Sequence, residues 1–178
     1  HDMVFIKRPT LSKAFTYSIT QKKKQWHTGL NGFLTKNNLF NNKHIPQVFL
    51  LNSRENRLLL LAGLLDTDGY LHNNYFEIFV GHKTLIDDVV FLARSLGFHV
   101  YIGKKKGIEG ARISISGEGL EQIPTRVARR KAHKRMQIKN ALRYGFTIKK
   151  LEVDAYYGFT IDGDRRFLLG DFTVTHNT

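Results

Sequence analysis

The chain has 178 residues, of which 28 are Lys or Arg and 15 are Asp or Glu, so its formal net charge is +13. Its apolar share of 42% is ordinary for a globular protein and allows one generous domain or two small ones. The absence of cysteine excludes disulfides, cysteine-based zinc sites and a thiol nucleophile.

The charge excess points to the kind of partner. Positive charges repel one another in the compact state, and a polyanion relieves that repulsion. Nucleic acid is the commonest such partner, although charge alone leaves a ribosome-like or merely soluble basic protein open. Residues 58–65 form the longest apolar stretch, which is too short to span a bilayer, and no secretory signal is visible. We therefore expect an intracellular protein, cytoplasmic or nuclear, with no membrane partner.

The first segments predict a strand and two helices. Residues 15–20 alternate apolar and polar side chains, which predicts a half-buried strand, and residues 21–38 carry apolar side chains at helical spacing. Ser53 is a predicted N-cap for a longer helix, which Gly69 would close.

A hairpin and an amphipathic helix should follow. Residues 70–80 predict two strands joined by a turn at residues 72–74. Thr84 and Asp87 have the spacing of a capping box, and the helix they would open has its predicted stop at Gly97.

Two more strands are predicted at residues 100–104 and 112–116, around a basic turn at residues 104–107. In the second strand Ile113 and Ile115 alternate with Arg112, Ser114 and Ser116. One face of the strand should therefore be apolar and the other polar.

Composition changes further along the chain. Residues 119–123 predict a short helix ended by Pro124, and residues 126–139 form a dense basic run. Beyond it the sequence predicts strands at residues 146–153, 156–161, 167–169 and 172–175. We place a domain boundary near Arg135.

The strongest motif is residues 61–69, with the sequence LAGLLDTDG. It predicts an apolar helix with the small residues Ala62 and Gly63 on one side, where another helix could approach closely. Asp66 and Asp68 lie at its C-terminal end, where the helix dipole disfavours an acid and a divalent cation would stabilise one. The alternative is a core helix whose two acids only serve the following turn.

This motif resembles the signature of LAGLIDADG homing endonucleases, and the predicted order of elements after it is similar to theirs. The resemblance implies an αββαββα unit whose acidic-ended helix pairs with a second one. Asp68 would then ligate Mg²⁺ (or Mn²⁺) at the scissile phosphate, while Asp66 would be a structural cap. The four-stranded sheets would form a saddle over double-stranded DNA.

Further residues acquire expected roles from the same resemblance. Residues 42–46 resemble the segment that closes the first repeat of intein endonucleases, which makes Lys43 a candidate catalytic residue. The position after the second Ile-Pro departs from the family's lysine, since it is Arg126, and Arg is a poor proton shuttle. The expected DNA-binding residues are Lys104, Lys105, Arg112, Ser114, Ser116, Arg126 and Lys131.

The end of the chain resembles the C-terminal motifs of inteins. Residues 156–160 with 167–169 are similar to the penultimate motif, and residues 174–177 to the final one. The resemblance implies that Asn177 cyclises, that His176 polarises its peptide bond, and that Thr178 is the first extein residue and a nucleophile. Arg165 departs from the motif, which often has His at that position.

These inferences combine into an α+β chain. It should hold the end of a first LAGLIDADG repeat (1–52), a second repeat (53–135) and a β-rich Hint splicing segment (136–178). The expected function is intein splicing combined with site-specific cleavage of double-stranded DNA. It would require an N-terminal intein half and a host extein as partners. The alternatives are a splicing-competent intein with a decayed nuclease, a non-catalytic LAGLIDADG-type DNA-binding or RNA-splicing helper, and a homodimeric endonuclease.

Overall fold

The computed structural model describes residues 3–8, 16–21, 29–104, 106–134, 143, 145–155 and 157–176. The chain divides into two compact units, residues 1–43 and 44–178. In the described part of the chain, no helix is both long and apolar enough to cross a membrane.

The first unit pairs two strands and adds a helix. Strands β1 (Met3–Arg8) and β2 (Thr16–Gln21) are antiparallel, with Met3 opposite Gln21. The predicted strand at 15–20 is thus confirmed within one residue. Helix α1 (Leu30–Lys36) covers the later part of the helix predicted at 21–38, whose residues 22–28 lie outside the described ranges.

The second unit contains the elements predicted from Ser53 onward, in the predicted order of helix, strand pair, helix and strand pair. The helices are α2 (Gln47–Leu50), α3 (Arg54–Asp68) and α4 (Lys83–Ser95). The strands are β3 (Gly69–His72), β4 (Tyr75–Val80), β5 (His99–Gly103) and β6 (Ala111–Ser116). Two 3₁₀ turns follow, Leu120–Gln122 and Ala128–Arg130. The α+β class is therefore confirmed.

The four strands form one antiparallel sheet in the order β3-β4-β6-β5. The hairpin between β3 and β4 turns at Asn73 and Asn74, which both have positive φ, as a two-residue turn matching the strand twist requires. Helices α3 and α4 pack on one face of the sheet. The core between them is made of apolar side chains, among them Leu61, Leu65, Phe76, Val89, Leu92, Ile113 and Ile115.

The observed ends of α4 can be compared with its predicted first and last residues. The helix ends before Gly97, whose φ is +91°, as predicted. The predicted capping box of Thr84 and Asp87 is wrong, because α4 begins two residues earlier with His82 as N-cap and no side-chain cap bond. A tertiary contact acts on the first turns instead, since the Ile45 N–H donates to Asp88 Oδ2 at 2.7 Å.

Gly69 joins α3 to β3 without a loop. Its φ of −81° is open to any residue, so the glycine is not needed for a left-handed turn. It is needed for space, because a Cβ there would lie 2.7 Å from the Leu65 carbonyl oxygen and 2.8 Å from the Leu65 Cα. The end of α3 is therefore held directly against the first strand.

We expect Gly69→Ala to destabilise the fold by about 1–3 kcal/mol, because the new methyl group meets backbone that cannot move away. Gly63 is the matched control, because a Cβ there has nothing within 4 Å. Gly63→Ala should be neutral or stabilising by up to about 1 kcal/mol, since Ala is the better helix former. Urea unfolding of both variants measures the difference; equal effects would contradict this account of Gly69.

The C-terminal part of the second unit carries a small hairpin. Strands β7 (Arg166–Leu168) and β8 (Val174–His176) pair antiparallel and confirm the two last predicted strands within two residues. The strands predicted at 146–153 and 156–161 are wrong for the described residues, which are irregular there. A strand needs a neighbour for its backbone groups, and the described chain offers none to these segments.

The tip of this hairpin contacts α4. Phe172 packs edge-to-face on Phe91, with ring centroids 5.0 Å apart, and Arg94 donates to the Asp171 carbonyl oxygen at 3.2 Å. The backbone N–H and hydroxyl of Thr173 hold the pKa of the Asp171 carboxyl below its ordinary value, with a smaller contribution from Arg94. The hairpin is thus anchored through its tip to the helical layer.

Candidate active site and nucleic-acid interface

Asp68 is the last residue of α3 and its side chain is exposed. Among the described residues nothing hydrogen-bonds to its carboxylate or forms an ion pair with it. A carboxylate at a helix C-terminus faces the negative end of the dipole, which disfavours it. Asp68 is therefore an acid in an unfavourable position, without an ion pair to any described residue.

Asp66 has a different environment, although it lies two residues away on the same helix. Its Oδ2 accepts the Arg126 N–H at 2.7 Å, and its Oδ1 accepts the Val127 N–H at 3.1 Å. Both oxygens are thus used to tie the segment after Pro124 to the end of α3. This bears out a structural role for Asp66, although what it caps is a distant loop and not its own turn.

Arg130 is a residue of this site that sequence reasoning missed. Its Nη1 donates to the Asp66 carbonyl oxygen and its Nη2 to the Thr67 carbonyl oxygen at 3.3 Å. These carbonyls have no partner within the helix, so the guanidinium both satisfies them and offsets the negative end of the dipole. The only signal in the sequence was the basic run itself, which does not show which arginine reaches the helix.

The segment that carries Arg130 is itself fixed at two further points. The buried Thr125 hydroxyl donates to the Arg130 carbonyl oxygen at 2.8 Å. Asn74, in the β3–β4 turn, exchanges two hydrogen bonds with the backbone of His133, at 2.6 and 2.8 Å. Residues 125–133 therefore wrap the acidic end of α3.

A metal ion at the C-terminal end of α3 would need more ligands than the described residues of the second unit supply. Among them no group of three or more His, Asp or Glu side chains could hold an ion. Mg²⁺, however, commonly takes one or two carboxylates and completes its shell with water and substrate phosphate. An exposed carboxylate such as that of Asp68 has the chemistry of one ligand of such a site.

The small residues of the motif do not share one side of the helix. Ala62 is buried in the core, with 3% of its surface exposed, whereas Gly63 faces solvent. The prediction that both lie on an approach face is wrong for Ala62, because consecutive helical residues are about 100° apart. The open face of α3 carries Gly63, the half-exposed Leu59 and Thr67.

The face of the sheet opposite the helices is polar and aromatic. Its outward residues on β3 and β4 include Tyr70, His72, Tyr75, Glu77 and Phe79. Those on β5 and β6 are His99, Tyr101, Gly103, Arg112, Ser114 and Ser116. The three candidates predicted on β6 thus lie on one surface, with Arg112 exposed and both serines half-buried.

Aromatic rings at one edge of this face contact one another. Tyr70 and His72 are stacked with centroids 6.1 Å apart, and His72 meets Tyr75 edge-on at 5.7 Å. Tyr70 and Tyr101 remain 61% and 66% exposed. So much exposed ring surface on a sheet face indicates a binding surface.

The remaining candidates lie at several places. Lys104, Arg126 and Lys131 are exposed in loops of the second unit, and Lys105 lies outside the described residues. Lys43 is exposed at the end of the first unit. His176 is exposed at the end of β8, whereas Asn177 and Thr178 lie outside the described ranges.

Residues 44–149 match the family described as "Homing endonuclease", and this match spans more than half of the chain. The chain belongs to the homing endonuclease family. The match begins at the first residue of the second unit and includes α3, the sheet and the segment that wraps the helix end.

One relative extends the similarity. The chain is 26% identical over 160 residues to the homothallic switching endonuclease of Saccharomyces cerevisiae, an alignment that covers 76% of this chain. The aligned region is 27% of that relative, so the chain spans about a quarter of its length.

Proposed function

We propose that this chain contributes one active centre of a LAGLIDADG-type endonuclease that cuts double-stranded DNA at a specific site with the help of Mg²⁺ or Mn²⁺. The observation that carries the proposal is the contrast between Asp66 and Asp68. Every Asp66 oxygen is used by the protein, whereas Asp68 has no described partner at the end of the same helix. An acid kept exposed at an unfavourable helix end is suited to ligating a cation.

The DNA would lie along the outward face of the sheet. Lys104, directly after β5, and Arg126 and Lys131, in the segment that wraps the end of α3, are exposed and available to phosphates. Residues of β6 and β5 would then meet base edges in the major groove. The formal charge of +13 supports the same partner.

The chain's own residues would divide the work as follows. Asp68 would hold the cation against the scissile phosphate, and Arg130 would keep the helix end that bears Asp68 in place. A bound divalent ion would supply Lewis acidity and a more acidic water. By the resemblance of residues 42–46 to intein endonucleases, Lys43 is proposed as a further catalytic residue.

The centre should be incomplete without a second acidic-ended helix. Gly63 and Leu59 leave the outer side of α3 open, and the chain spans only about a quarter of its relative. We propose that an N-terminal half supplies the twin helix; a second copy of this chain would make the homodimeric alternative instead.

Cleavage of a supercoiled plasmid library, with breaks mapped by sequencing, tests the nuclease. The chain with the complementing half should linearise a small set of plasmids in Mg²⁺ or Mn²⁺, and EDTA should abolish cutting. DNA binding without cutting in any divalent ion would favour a decayed nuclease or a helper protein, which Arg126 in place of lysine mildly supports. Absence of DNA binding would contradict the proposal as a whole.

We further propose that residues 136–178 are the C-terminal part of a Hint splicing domain. The support is the exposure of five large apolar side chains among residues 145–155 and 157: Phe146, Ile148, Leu151, Val153 and Tyr157 are 77–104% exposed. Exposed apolar side chains of this kind are suited to packing against an N-terminal intein half. The host extein would continue from Thr178.

Substitution of Asn177 tests the splicing proposal. In a precursor that joins the N-terminal half, this chain and a C-terminal extein, Asn177→Ala should block release of that extein, because the cyclising side chain is lost. Intact mass spectrometry would show the unreleased product, and Asn140→Ala is the matched control. Unchanged release in Asn177→Ala would end the splicing assignment.

A further inference from the structure

Glu77 is an acid on the face of the sheet that is proposed to bind DNA. It lies in β4, one of the two central strands, and its side chain is on the outward face of the sheet, where it is 24% exposed. Among the outward residues of the four described strands, β3 to β6, it is the one acid. A carboxylate there repels a polyanion, so it must act through a neighbour or on a base if the face binds DNA.

Glu77 contacts two residues of the adjacent strand β6. Its Oε1 accepts the Ser114 hydroxyl at 3.3 Å, and its Oε2 lies 4.0 Å from Arg112 Nη1. Ser114 is directly opposite Glu77 in the strand register, and Arg112 is one outward position further along. The charge of the acid therefore favours orientations of Arg112 in which one edge of the guanidinium faces β4, an effect that is modest for an exposed pair.

The rest of that guanidinium is open. The Arg112 side chain is 67% exposed, and no other hydrogen bond or ion pair involves it among the described residues. Arginine has five N–H donors in a planar fork, so one restrained edge leaves the others for a ligand. A free arginine loses much rotamer freedom when it binds, and prior restraint reduces that loss.

We propose that Arg112 reads a guanine in the major groove and that Glu77 is the positioning residue that aims it. Arginine pairs with guanine O6 and N7 through two parallel hydrogen bonds, which no other base edge accepts equally well. The negative charge of Glu77 thus lowers the affinity of the sheet face for phosphate and raises its selectivity at one base pair. This inference rests on the proposed function, because it requires the sheet face to meet DNA.

Selection of bound duplexes from a random pool, followed by sequencing, tests the pair. The wild-type chain, assayed with its complementing half, should enrich a guanine at one position of its site. Arg112→Ala should lose that preference, by about 5- to 150-fold. Glu77→Gln, which keeps the side chain's shape, should weaken the same preference about two- to fivefold and leave average affinity equal or higher.

Lys104→Ala is the control for a phosphate contact. It should weaken binding to all sequences alike and reduce the salt dependence by about one unit of slope, with the base preferences unchanged. Thermal unfolding by circular dichroism should be the same for all variants. If Glu77→Gln leaves every base preference intact, the positioning role is wrong. It is also wrong if the substitution changes a preference for cytosine and leaves the preference for guanine unchanged. If the wild-type chain with its complementing half binds DNA with no preference, or not at all, the proposed function is overturned instead.

Discussion

Asp68→Asn is expected to reduce DNA cleavage by more than about 100-fold and to leave the fold and DNA binding intact. The amide keeps the shape of the side chain but loses the negative charge that would hold the cation. No described residue bonds to the Asp68 carboxylate, so the protein loses no contact. Removal of an acid from a helix C-terminus should even stabilise α3 by a few tenths of a kcal/mol.

Three measurements on the same preparation separate the possibilities. Plasmid linearisation reports cleavage, binding to the cognate duplex in Ca²⁺ reports the interface, and thermal unfolding reports the fold. Thr67→Ala is the matched neighbour, because within the described chain its hydroxyl hydrogen-bonds to carbonyls of its own helix, those of Gly63 and Leu64. Full cleavage by Asp68→Asn would remove this residue from the active centre.

Asp66→Ala is expected to have the opposite profile, with a loss of stability of about 2 kcal/mol. The substitution leaves the N–H groups of Arg126 and Val127 without their acceptor. Hydrogen bonds to a charged group each contribute about 1.5–3 kcal/mol, and partial access of water to these amides offsets some of the loss. In a chain of this size the midpoint should fall by roughly 4–8 °C.

Asp66→Asn gives an intermediate case, because the amide retains one oxygen acceptor. We expect its midpoint to lie between those of the wild type and Asp66→Ala. Hydrogen exchange should place the loosened amides in residues 125–133, the segment that wraps the helix end. If Asp66→Ala unfolds like the wild type, the two bonds do not hold this segment.

Asp66 and Asp68 lie at the same helix end but differ in role: Asp66 holds a loop in place, whereas Asp68 is the proposed metal ligand. Asp66 points to the loop that carries Arg130, and Arg130 in turn caps the last carbonyls of α3. The arginine compensates the dipole without bonding to Asp68. From the sequence we expected a metal ion alone to compensate the negative end of α3. In the structure Arg130 provides part of that compensation.

Local sequence patterns are sufficient to predict the order of helices and strands in the second unit. Period-3.6 and period-2 patterns are local, so they predicted α3, α4 and the four strands, and the alternation in β6 assigned Arg112, Ser114 and Ser116 to the outward face. The motif at 61–69 led to the family that residues 44–149 match. Turn chemistry was equally local, as Asn73 and Asn74 demonstrate.

Which side chains contact one another depends on long-range packing that no local pattern encodes. Asp66 and Arg126 are 60 positions apart, and nothing in their local sequence indicates the bond between them. The strand predicted at 146–153 failed for the same reason, because a strand exists only where a neighbour accepts its backbone hydrogen bonds. Local patterns determine which face of a helix or strand a residue occupies. Its contact partners depend on which distant segments of the chain pack against that face.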